Sequence, residues 1–524
     1  MFIFILSLFI DKRMLRCYNE GEKTKHAVKA KKEKNMSKLI IGWAEESITP
    51  DVKVSLPGQF YERISEYVEE PITVTALAIE ADGDHAVIVS GDLTSASHNL
   101  LTEIREHLRD VEGLDPMKVT FGATHTHTSL AYTGRSDKNA FNVFTSRLPE
   151  GVEYQQVVNT TAEGVQTPAE ARELLVERVT KVIKAAWADR KPGYIAQGFG
   201  RAVVGLNRRV CFDDGSAAMW GDTNNACFTT LEAGTDTGIE MLFTYDEDKK
   251  IRGALINVSC PSQVLEHRSF ISSDYWGKVK KNLRAQLGDG FFVLGMCGAA
   301  GDLCPRDLIR WVEPHVPILD PNIERLNPLP RKADPSMFEI VGAEKIGKRI
   351  SREVMDAIED AKELIGDTVF KHEAFSMDLP FRRVTMGEYK EAQDRFARYM
   401  EGKTVVNYAD KANTLFECGI MARYEEQQNR ELINIEVHVM RLGNIAIATN
   451  PFELFVEFGQ LIRARSKAEQ TFLSQLTCGS WGYLPTKHAE EGGHYSAFVG
   501  SGTVGHEGGE MYVRKVLSVI DELF

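Results

Sequence analysis

An acidic chain of 524 residues with a formal net charge of −13 repels phosphate backbones, which argues against nucleic-acid binding. Its apolar content of 43% and charged content of 26% are those of an ordinary globular protein, long enough for one large domain or two. Its eight cysteines stand singly, without a CxxC pair. This pattern indicates reduced thiols in a cytoplasmic protein rather than a disulfide framework or a zinc finger.

The first 35 residues differ in composition from the rest of the chain. The run MFIFILSLFI is apolar but too short to span a bilayer as a helix, and the lysine-rich run KTKHAVKAKKEKN follows it. We therefore expect residues 1–35 to be a disordered or mis-assigned leader, with the true start at Met36 and no stable membrane insertion. The alternative is an uncleaved signal anchor.

Strand and helix patterns alternate from residue 75 onward. TALAIEA (residues 75–81) and HAVIVSGDL (85–93) predict strands, NLLTEIREHLRDV (99–111) has apolar residues at helical spacing, and MKVTFGAT (117–124) predicts a strand again. This β-α-β order favours a parallel or mixed sheet. Later strands are predicted at IEMLFTY, RGALINVS, GFFVLGM and IEVHVMRLGNIAIAT, and later helices at ARELLVERVTKVIKAAWADR and AEKIGKRISREVMDAIEDAKEL. The predicted fold class is α/β, with mixed β-sheets flanked by helices.

We interpret residues 36–524 as a single large domain with two excursions and without an internal sequence repeat. One excursion, at residues 307–335, contains the proline-rich stretch PHVPILDPNIERLNPLPRKADP, and the other, at 387–420, is helical. A division into two domains near residue 367 is the alternative.

The stretch GATHTHTSL (residues 122–130) places two histidines two residues apart after an apolar run. Alternate residues of a strand point to the same side, so His125 and His127 could face one target. Histidine is a common zinc ligand, and a catalytic zinc site leaves one position open for water or substrate. The alternative is a pair of strand-end histidines bonded to backbone.

Four further polar or glycine-rich loops follow strand-like runs, where sites in α/β proteins commonly lie. They contain His267 and Asp274 (loop 257–277), the glycine-dense turn GMCGAAGDLCPRD (295–307), Glu453 (448–459), and Tyr483 and Tyr495 (477–497).

In the order and spacing of these motifs the chain resembles the neutral ceramidase family, zinc-dependent amidases that cleave the N-acyl bond of ceramide. The resemblance begins at GWAEESITP and continues through GATHTHTSL, GLNRRVCFDDGS, NVSCPSQ…ISSDYWG, GAAGDLCPR and NPFELF to GYLPT…GGHY. It covers residues 41–524 and implies a divergent member consisting of the family's catalytic domain, with the fold of the ceramidase N-terminal domain.

The resemblance also implies a set of site residues. The family's zinc ligands fall on His125, Glu453 and Tyr483, although NPFE replaces the family's P-G-E wording. The substrate-lining histidine, the substrate-contacting tyrosine and the arginine of the N-R segment fall on His127, Tyr495 and Arg208.

Two positions depart from the family pattern. The family's second zinc histidine aligns with Pro261, which has no donor atom, and His267 could reach the metal from another direction. The family's G-D-x-S-P serine aligns with Cys304, which could be a nucleophile, an additional metal ligand or a spacer that enlarges the pocket. We favour the spacer, because in the metal-water mechanism the attacking oxygen comes from zinc.

The resulting prediction is a zinc-dependent, amidase-like hydrolase acting on a small, polar, sugar-like molecule rather than on ceramide. Arg208, His127 and Tyr495 would donate to the oxyanion, each well-placed donor contributing about 3 kcal/mol. Asp302 and Cys304 complete the catalytic set, Trp481 and Asp274 would contact substrate, and Asp302 or Asp274 could orient a metal ligand. The alternatives are a metal-free binding or sensing protein, which Pro261 favours, and a carboxylate-based carbohydrate hydrolase using two of Asp302, Asp274 and Glu453. The oligomeric state stays open.

Overall fold

The computed structural model describes residues 37–59, 61–133, 140–155, 163–310 and 339–524. Three sheets contain most of the long strands. In each sheet the first three strands run antiparallel to their neighbours, and the fourth strand pairs in parallel with the third. The first sheet contains Ile40–Ser47, Thr73–Ala81, Asp84–Gly91 and Val119–Ala123, with the short strand Lys191–Pro192 at its edge. The second contains Tyr194–Arg201, Gly238–Tyr245, Ile251–Val258 and Phe292–Cys297. The third contains Phe370–Pro380, Leu432–Leu442, Ile445–Thr449 and Gln470–Ser474.

Helices complete a unit that occurs three times along the chain. One helix in each unit connects the third strand to the parallel fourth strand: His98–Glu106, Tyr275–Leu287 and Val456–Arg465. A second helix follows the fourth strand: Pro168–Ala188, Ile340–Asp360 and His506–Leu523. The order βββαβα is thus repeated without a matching repeat in the sequence. The helix that begins at Pro168 shows how the sequence sets such an element, because Thr167 and Glu170 form a capping box around a proline at its first position.

Both faces of each sheet are buried. The inward faces share one central core, in which Trp43 and Leu77 of the first sheet meet Leu255 and Leu294 of the second and Met440 of the third. The outward faces pack against the two helices of their own unit. Burial on both sides explains why the strands are near-continuous apolar runs in the sequence.

Shorter elements decorate this frame. The remaining helices are Ala140–Ser146, Met386–Met400, Tyr408–Asn413, Leu415–Glu426, Lys487–Gly492 and the 3₁₀ turn Pro116–Lys118. The remaining strands are Ser37–Lys38 with Asp367–Thr368; Lys53–Leu56 with Arg63–Ile64 and Val165–Gln166; Glu153–Tyr154 with Val405–Val406; Leu206–Asn207 with Leu303–Cys304; Arg209–Phe212 with Ala217–Met219 and Phe228–Leu231; and Glu453–Leu454 with Tyr483–Leu484. The excursion at 387–420 forms a small apolar core with helix Ala140–Ser146.

The predicted fold class is confirmed: the described residues form mixed sheets flanked by eleven α-helices. The helix predicted at 99–111 ends earlier, at Glu106, because the residues after it form turns. The alternative boundary near residue 367 falls where the third unit begins, and that unit shares the central core with the other two. The proposed leader and most of the 307–335 excursion lie outside the described residues. Within those residues, no helix combines the length and apolar character needed to cross a bilayer.

Candidate functional site

Residues that follow the parallel strands of all three units contact one another. In the first unit they are His125 and His127, in the second Gln263 and Glu266, and in the third Glu453. Loops at the carboxyl ends of parallel strands are the usual place for ligand sites in α/β folds. The three units therefore contribute jointly to one candidate site.

His125 is oriented by backbone on one side and faces a carboxylate on the other. Its Nδ1 lies 2.5 Å from the carbonyl oxygen of Thr94, so we assign the proton to Nδ1 and a lone pair to Nε2. That Nε2 lies 3.4 Å from Oε2 of Glu453 and 3.4 Å from Nε2 of His127. The predicted reason for this pairing was wrong: the strand ends at Ala123, and the left-handed backbone of His125 (φ +64°) brings the two rings together in a loop.

His127 is held from three directions. Its Nε2 lies 2.8 Å from the amide nitrogen of Gln263, whose oxygen accepts from Arg208, so the amide donates to the ring. Its Nδ1 lies 3.2 Å from Oε2 of Glu266, an ion-pair distance without hydrogen-bond geometry. Burial lowers the pKa of His127 to about 4, so the ring is neutral at neutral pH. A Cβ at Gly58, where φ is +92°, would lie 2.4 Å from Cγ of this ring, so only glycine fits there.

Glu453, Tyr483 and Arg208 form a largely buried polar group beside His125. Glu453 and Tyr483 are paired residues of two short parallel strands, and Arg208 Nη2 lies 3.4 Å from the Tyr483 hydroxyl. Burial raises the pKa of Glu453, but His125, Arg208 and Tyr483 hold it below its ordinary value. Burial and the charge of Glu453 raise the pKa of Tyr483 well above its ordinary value. The ring of Tyr495 lies edge-on to that of Tyr483, with centroids 5.5 Å apart.

The donor chemistry beside His125 fits a zinc ion. The lone pair on His125 Nε2 and the ionised Glu453 both accept hydrogen bonds, yet they face each other at 3.4 Å. That separation is about the distance between two ligands of a tetrahedral zinc ion with bonds of 2.0–2.2 Å. The contact of His125 Nδ1 with a carbonyl is also the usual outer contact of a zinc histidine. His125, Glu453 and Tyr483 are therefore the residues that would hold the metal.

The structure gives His267 no place in this ligand set. The groups that act on its pKa are Arg306, Glu266, Arg268 and Arg63, and burial together with Arg306 lowers that pKa to about 3. A three-ligand group needs three His, Cys, Asp or Glu ligand atoms within 4.8 Å of one another. Among the described residues, His267 does not form such a group with His125 and Glu453. Its predicted role as a ligand has no support from the geometry.

Replacing His267 by glutamine should leave the amount of bound zinc unchanged. It should also reduce the loss of the free energy of unfolding that occurs as the pH falls below about 6.5. In the unfolded chain His267 binds a proton below about pH 6.5, whereas in the folded protein its ring stays neutral down to about pH 3. The free energy of unfolding is therefore lost as pH falls through this window, by up to about 2 kcal/mol between pH 6.5 and 5. Urea unfolding at both pH values measures the difference, and equal losses in the wild type and the variant would contradict it.

Asp302 and Asp274 are buried beneath the site loops. Asp302 accepts from the Asn207 side chain and from the backbone of Val456, each at 2.8 Å, so it holds the segment that carries Glu453. Asp274 accepts from the backbone of Leu265 and Tyr275, also at 2.8 Å. Burial raises the pKa of Asp302 to about 6 and that of Asp274 to about 7. Both carboxylates therefore hold loops in position. Asp274 is fully buried, so it has no surface for the substrate contact that was predicted.

Cys304 is fully buried in an apolar cluster that includes Trp220 and Tyr495. Burial raises the pKa of its thiol to about 11 against the opposing effect of Arg208, so the reactive thiolate is scarce at neutral pH. This environment favours a role for Cys304 as a spacer in the pocket over a role as a nucleophile. Trp481, in contrast, is only partly buried, and the Arg430 guanidinium lies 5.8 Å from its ring, so it has surface for a substrate.

We expect Cys304→Ser to keep its zinc and to lose less than about tenfold in kcat/KM, because it removes little more than a packing contact and so costs roughly 1 kcal/mol. Metal analysis and steady-state kinetics on the same preparation test this. Loss of the metal would identify Cys304 as a ligand, and loss of nearly all activity with the metal retained would identify it as a nucleophile.

Sequence reasoning missed Gln263 and Glu266. Both lie on one turn of the loop that contains Pro261, three residues apart on either side of the apolar pair VL in SQVLEH, and this spacing was the available signal. Glu266 also bonds the buried Arg306 at 2.7 Å, which holds its pKa well below the ordinary range despite burial. Two residues beyond Pro261, the Gln263 amide occupies the space between His127 and Arg208.

Comparison with known proteins supports the fold alone. Neither a family model nor a curated protein sequence matches the chain. Among solved structures, the crystal structure of neutral ceramidase from Pseudomonas aeruginosa is similar over 93% of this chain and 75% of its own, with 16% identity and a TM-score of 0.61. A ceramidase complexed with C2 is similar over the same shares, with 15% identity and a TM-score of 0.62. The predicted resemblance is thus confirmed in three dimensions, and the chain has the neutral ceramidase fold.

Proposed function

We propose that the protein is a metal-dependent hydrolase that cleaves an amide or related bond in a small polar substrate, with zinc held by His125, Glu453 and Tyr483. The observation that carries the proposal is the opposition of His125 Nε2 and Glu453 Oε2, two acceptor atoms 3.4 Å apart in a buried site. When bound, zinc polarises the scissile carbonyl and lowers the pKa of a water molecule to near 7.

The surrounding residues would position the reacting groups. Arg208 holds Gln263 and Tyr483 at once, and Glu266 fixes the ring of His127. Because the Gln263 amide donates to Nε2 of His127, that nitrogen carries a lone pair, and the role of His127 fits a proton acceptor that Gln263 releases when substrate enters, rather than the predicted donor to the oxyanion. Tyr495, next to Tyr483, is the better-placed donor to the oxyanion.

A polar substrate fits the charge and the aromatic side chains of the protein better than a lipid does. The net charge of −13 opposes approach to an anionic membrane. Trp481 and Tyr495 are partly buried aromatic rings beside the site, as in proteins that stack sugar-like rings. We therefore place an N-acylated amino sugar ahead of an N-acylated sphingoid base.

Metal removal tests the proposal. The purified protein should contain at least one equivalent of zinc, lose hydrolysis of N-acyl amino sugars on exhaustive chelation, and regain it on addition of zinc. Full activity after complete removal of metal would contradict the metal role. Faster hydrolysis of N-acylsphingosine would correct the substrate class.

The alternatives predict other outcomes. A binding or sensing protein, favoured by Pro261, would bind a ligand without turning it over even when loaded with zinc. A hydrolase working through paired carboxylates would need two of Asp302, Asp274 and Glu453 in contact with the substrate. Both aspartates accept from backbone N–H groups in fully buried positions, which disfavours that mechanism.

A further inference from the structure

A second cluster of ligand-type side chains lies where the first and third sheets meet. Glu436 and His438 point from strand Leu432–Leu442, and Cys478 follows strand Gln470–Ser474. One ligand atom from each lies within 4.8 Å of the other two, and all three side chains are buried. None of these residues belongs to the candidate site described above.

Three contacts in this cluster each need a proton, and two neutral imidazole rings supply only two. His372 Nδ1 lies 3.1 Å from the carbonyl oxygen of His85, His372 Nε2 lies 2.9 Å from His438 Nδ1, and His438 Nε2 lies 2.7 Å from Oε1 of Glu436. The carbonyl and the carboxylate can only accept, and the contact between the rings needs one N–H. One of the three contacts is therefore short of a proton.

A cation on His438 Nε2 removes this shortage. His372 then donates to the His85 carbonyl, and His438 donates from Nδ1 to His372. The lone pair left on His438 Nε2 faces the cation together with Glu436. This arrangement gives the ligand histidine an outer partner on its other nitrogen, as metal-bound histidines usually have.

Cys478 supplies a soft third ligand. Its backbone is left-handed (φ +60°), a conformation that costs energy for a residue with a side chain, and its N–H donates to Phe121 of the first sheet. One sulfur, one nitrogen and one oxygen donor form a set that suits zinc better than magnesium or calcium.

We propose that Glu436, His438 and Cys478 form a second, structural metal site for zinc or a similar thiophilic divalent cation, with all three ligands supplied by the third unit where it packs against the first sheet. Binding opens the 2.7 Å separation of His438 Nε2 and Glu436 Oε1 to about 3.4 Å, the separation of two ligands of a tetrahedral zinc ion with bonds of about 2.0–2.2 Å. The Cys478 thiol loses its proton to solvent as the thiolate–metal bond forms.

The neighbouring charges are compatible with this site. Arg105 donates to both oxygens of Glu436, at 2.9 and 2.6 Å, but an ionised carboxylate has about four lone-pair positions. Burial and the charge of Glu436 raise the pKa of the Cys478 thiol and Arg105 opposes them, so the thiolate needs the charge of a bound cation to form. His98, whose side chain is 55% exposed, lies 4.0 Å from Glu436 and marks a path for metal from the solvent.

Cobalt substitution tests the second site without relying on activity. The protein, stripped of metal and loaded with Co²⁺, should show a thiolate-to-cobalt charge-transfer band, because the ligands proposed for the candidate site include no sulfur. The band should disappear in Cys478→Ser and persist in Cys418→Ser, a matched control at another buried thiol. Absence of the band in the cobalt-loaded wild type, or its persistence in Cys478→Ser, would overturn the proposal.

Zinc stoichiometry gives a test that does not depend on the folding of Cys478→Ser. The wild type should bind two equivalents, and His125→Ala should bind one and keep the charge-transfer band. One equivalent in the wild type and none in His125→Ala would leave the second site without a metal and refute it, whether or not the candidate site is catalytic.

Discussion

His125→Ala is expected to reduce hydrolysis to background and to remove one equivalent of zinc. Alanine deletes the ring nitrogen that faces Glu453, so the largely buried carboxylate loses one of its partners. Metal analysis of the purified variant, together with kinetics in added zinc, measures both effects. The alanine also has to adopt the left-handed backbone of residue 125, so circular dichroism is needed to show that the variant is folded.

His107→Ala is the matched control, because His107 is an exposed histidine on the turns after helix His98–Glu106. It should keep full activity and its full metal content. Unchanged activity in a metal-free His125→Ala protein would show that the candidate site does not use a metal.

Arg209→Ala should lower the free energy of unfolding by about 3–5 kcal/mol, the cost of leaving one member of a buried ion pair alone. Arg209 is fully buried and binds both oxygens of Glu232, at 2.6 and 2.9 Å. It also donates to the carbonyl oxygens of Ala489, Gly493 and Tyr495. One guanidinium thus fixes the loop that carries Tyr495, so kcat should fall as well.

Urea unfolding measures the free energy of unfolding of Arg209→Ala, and Arg514→Ala is the matched control. Arg514 pairs with Glu510 on the exposed face of a helix, where removing the arginine should change the free energy of unfolding by no more than about 0.5 kcal/mol. A loss below about 1 kcal/mol in Arg209→Ala would mean that Glu232 and the loop find other partners.

The sequence carries much of the fold because the strands are long and apolar and are separated by helices with one buried face. The patterns at 75–93 and 117–124 predicted strands that the structure places within about two residues. The threefold recurrence of βββαβα was not predictable in this way, since the three units share strand order but no residues that repeat at a fixed spacing.

The candidate site was predicted where the resemblance to neutral ceramidases carried a family residue over to a matching position. His125, Glu453 and Tyr483 do lie together, but the sequence could not show that His267 faces Arg306 or that both oxygens of Asp274 bind backbone. These outcomes depend on burial and on contacts between loops far apart in the chain. Gln263 and Glu266 were missed for the same reason: each acquires its role only when the first two units meet.

The triplicate architecture also separates early from late events in folding. Each sheet pairs strands from one continuous stretch of chain, so each can form through contacts that are local compared with the length of the protein. The candidate site has no such local version, because His125, Gln263 and Glu453 come from three different stretches. Helical signal should therefore return early during refolding, whereas zinc affinity of the candidate site should appear only when the last unit docks. Zinc binding at the candidate site therefore reports when the final assembly step is complete.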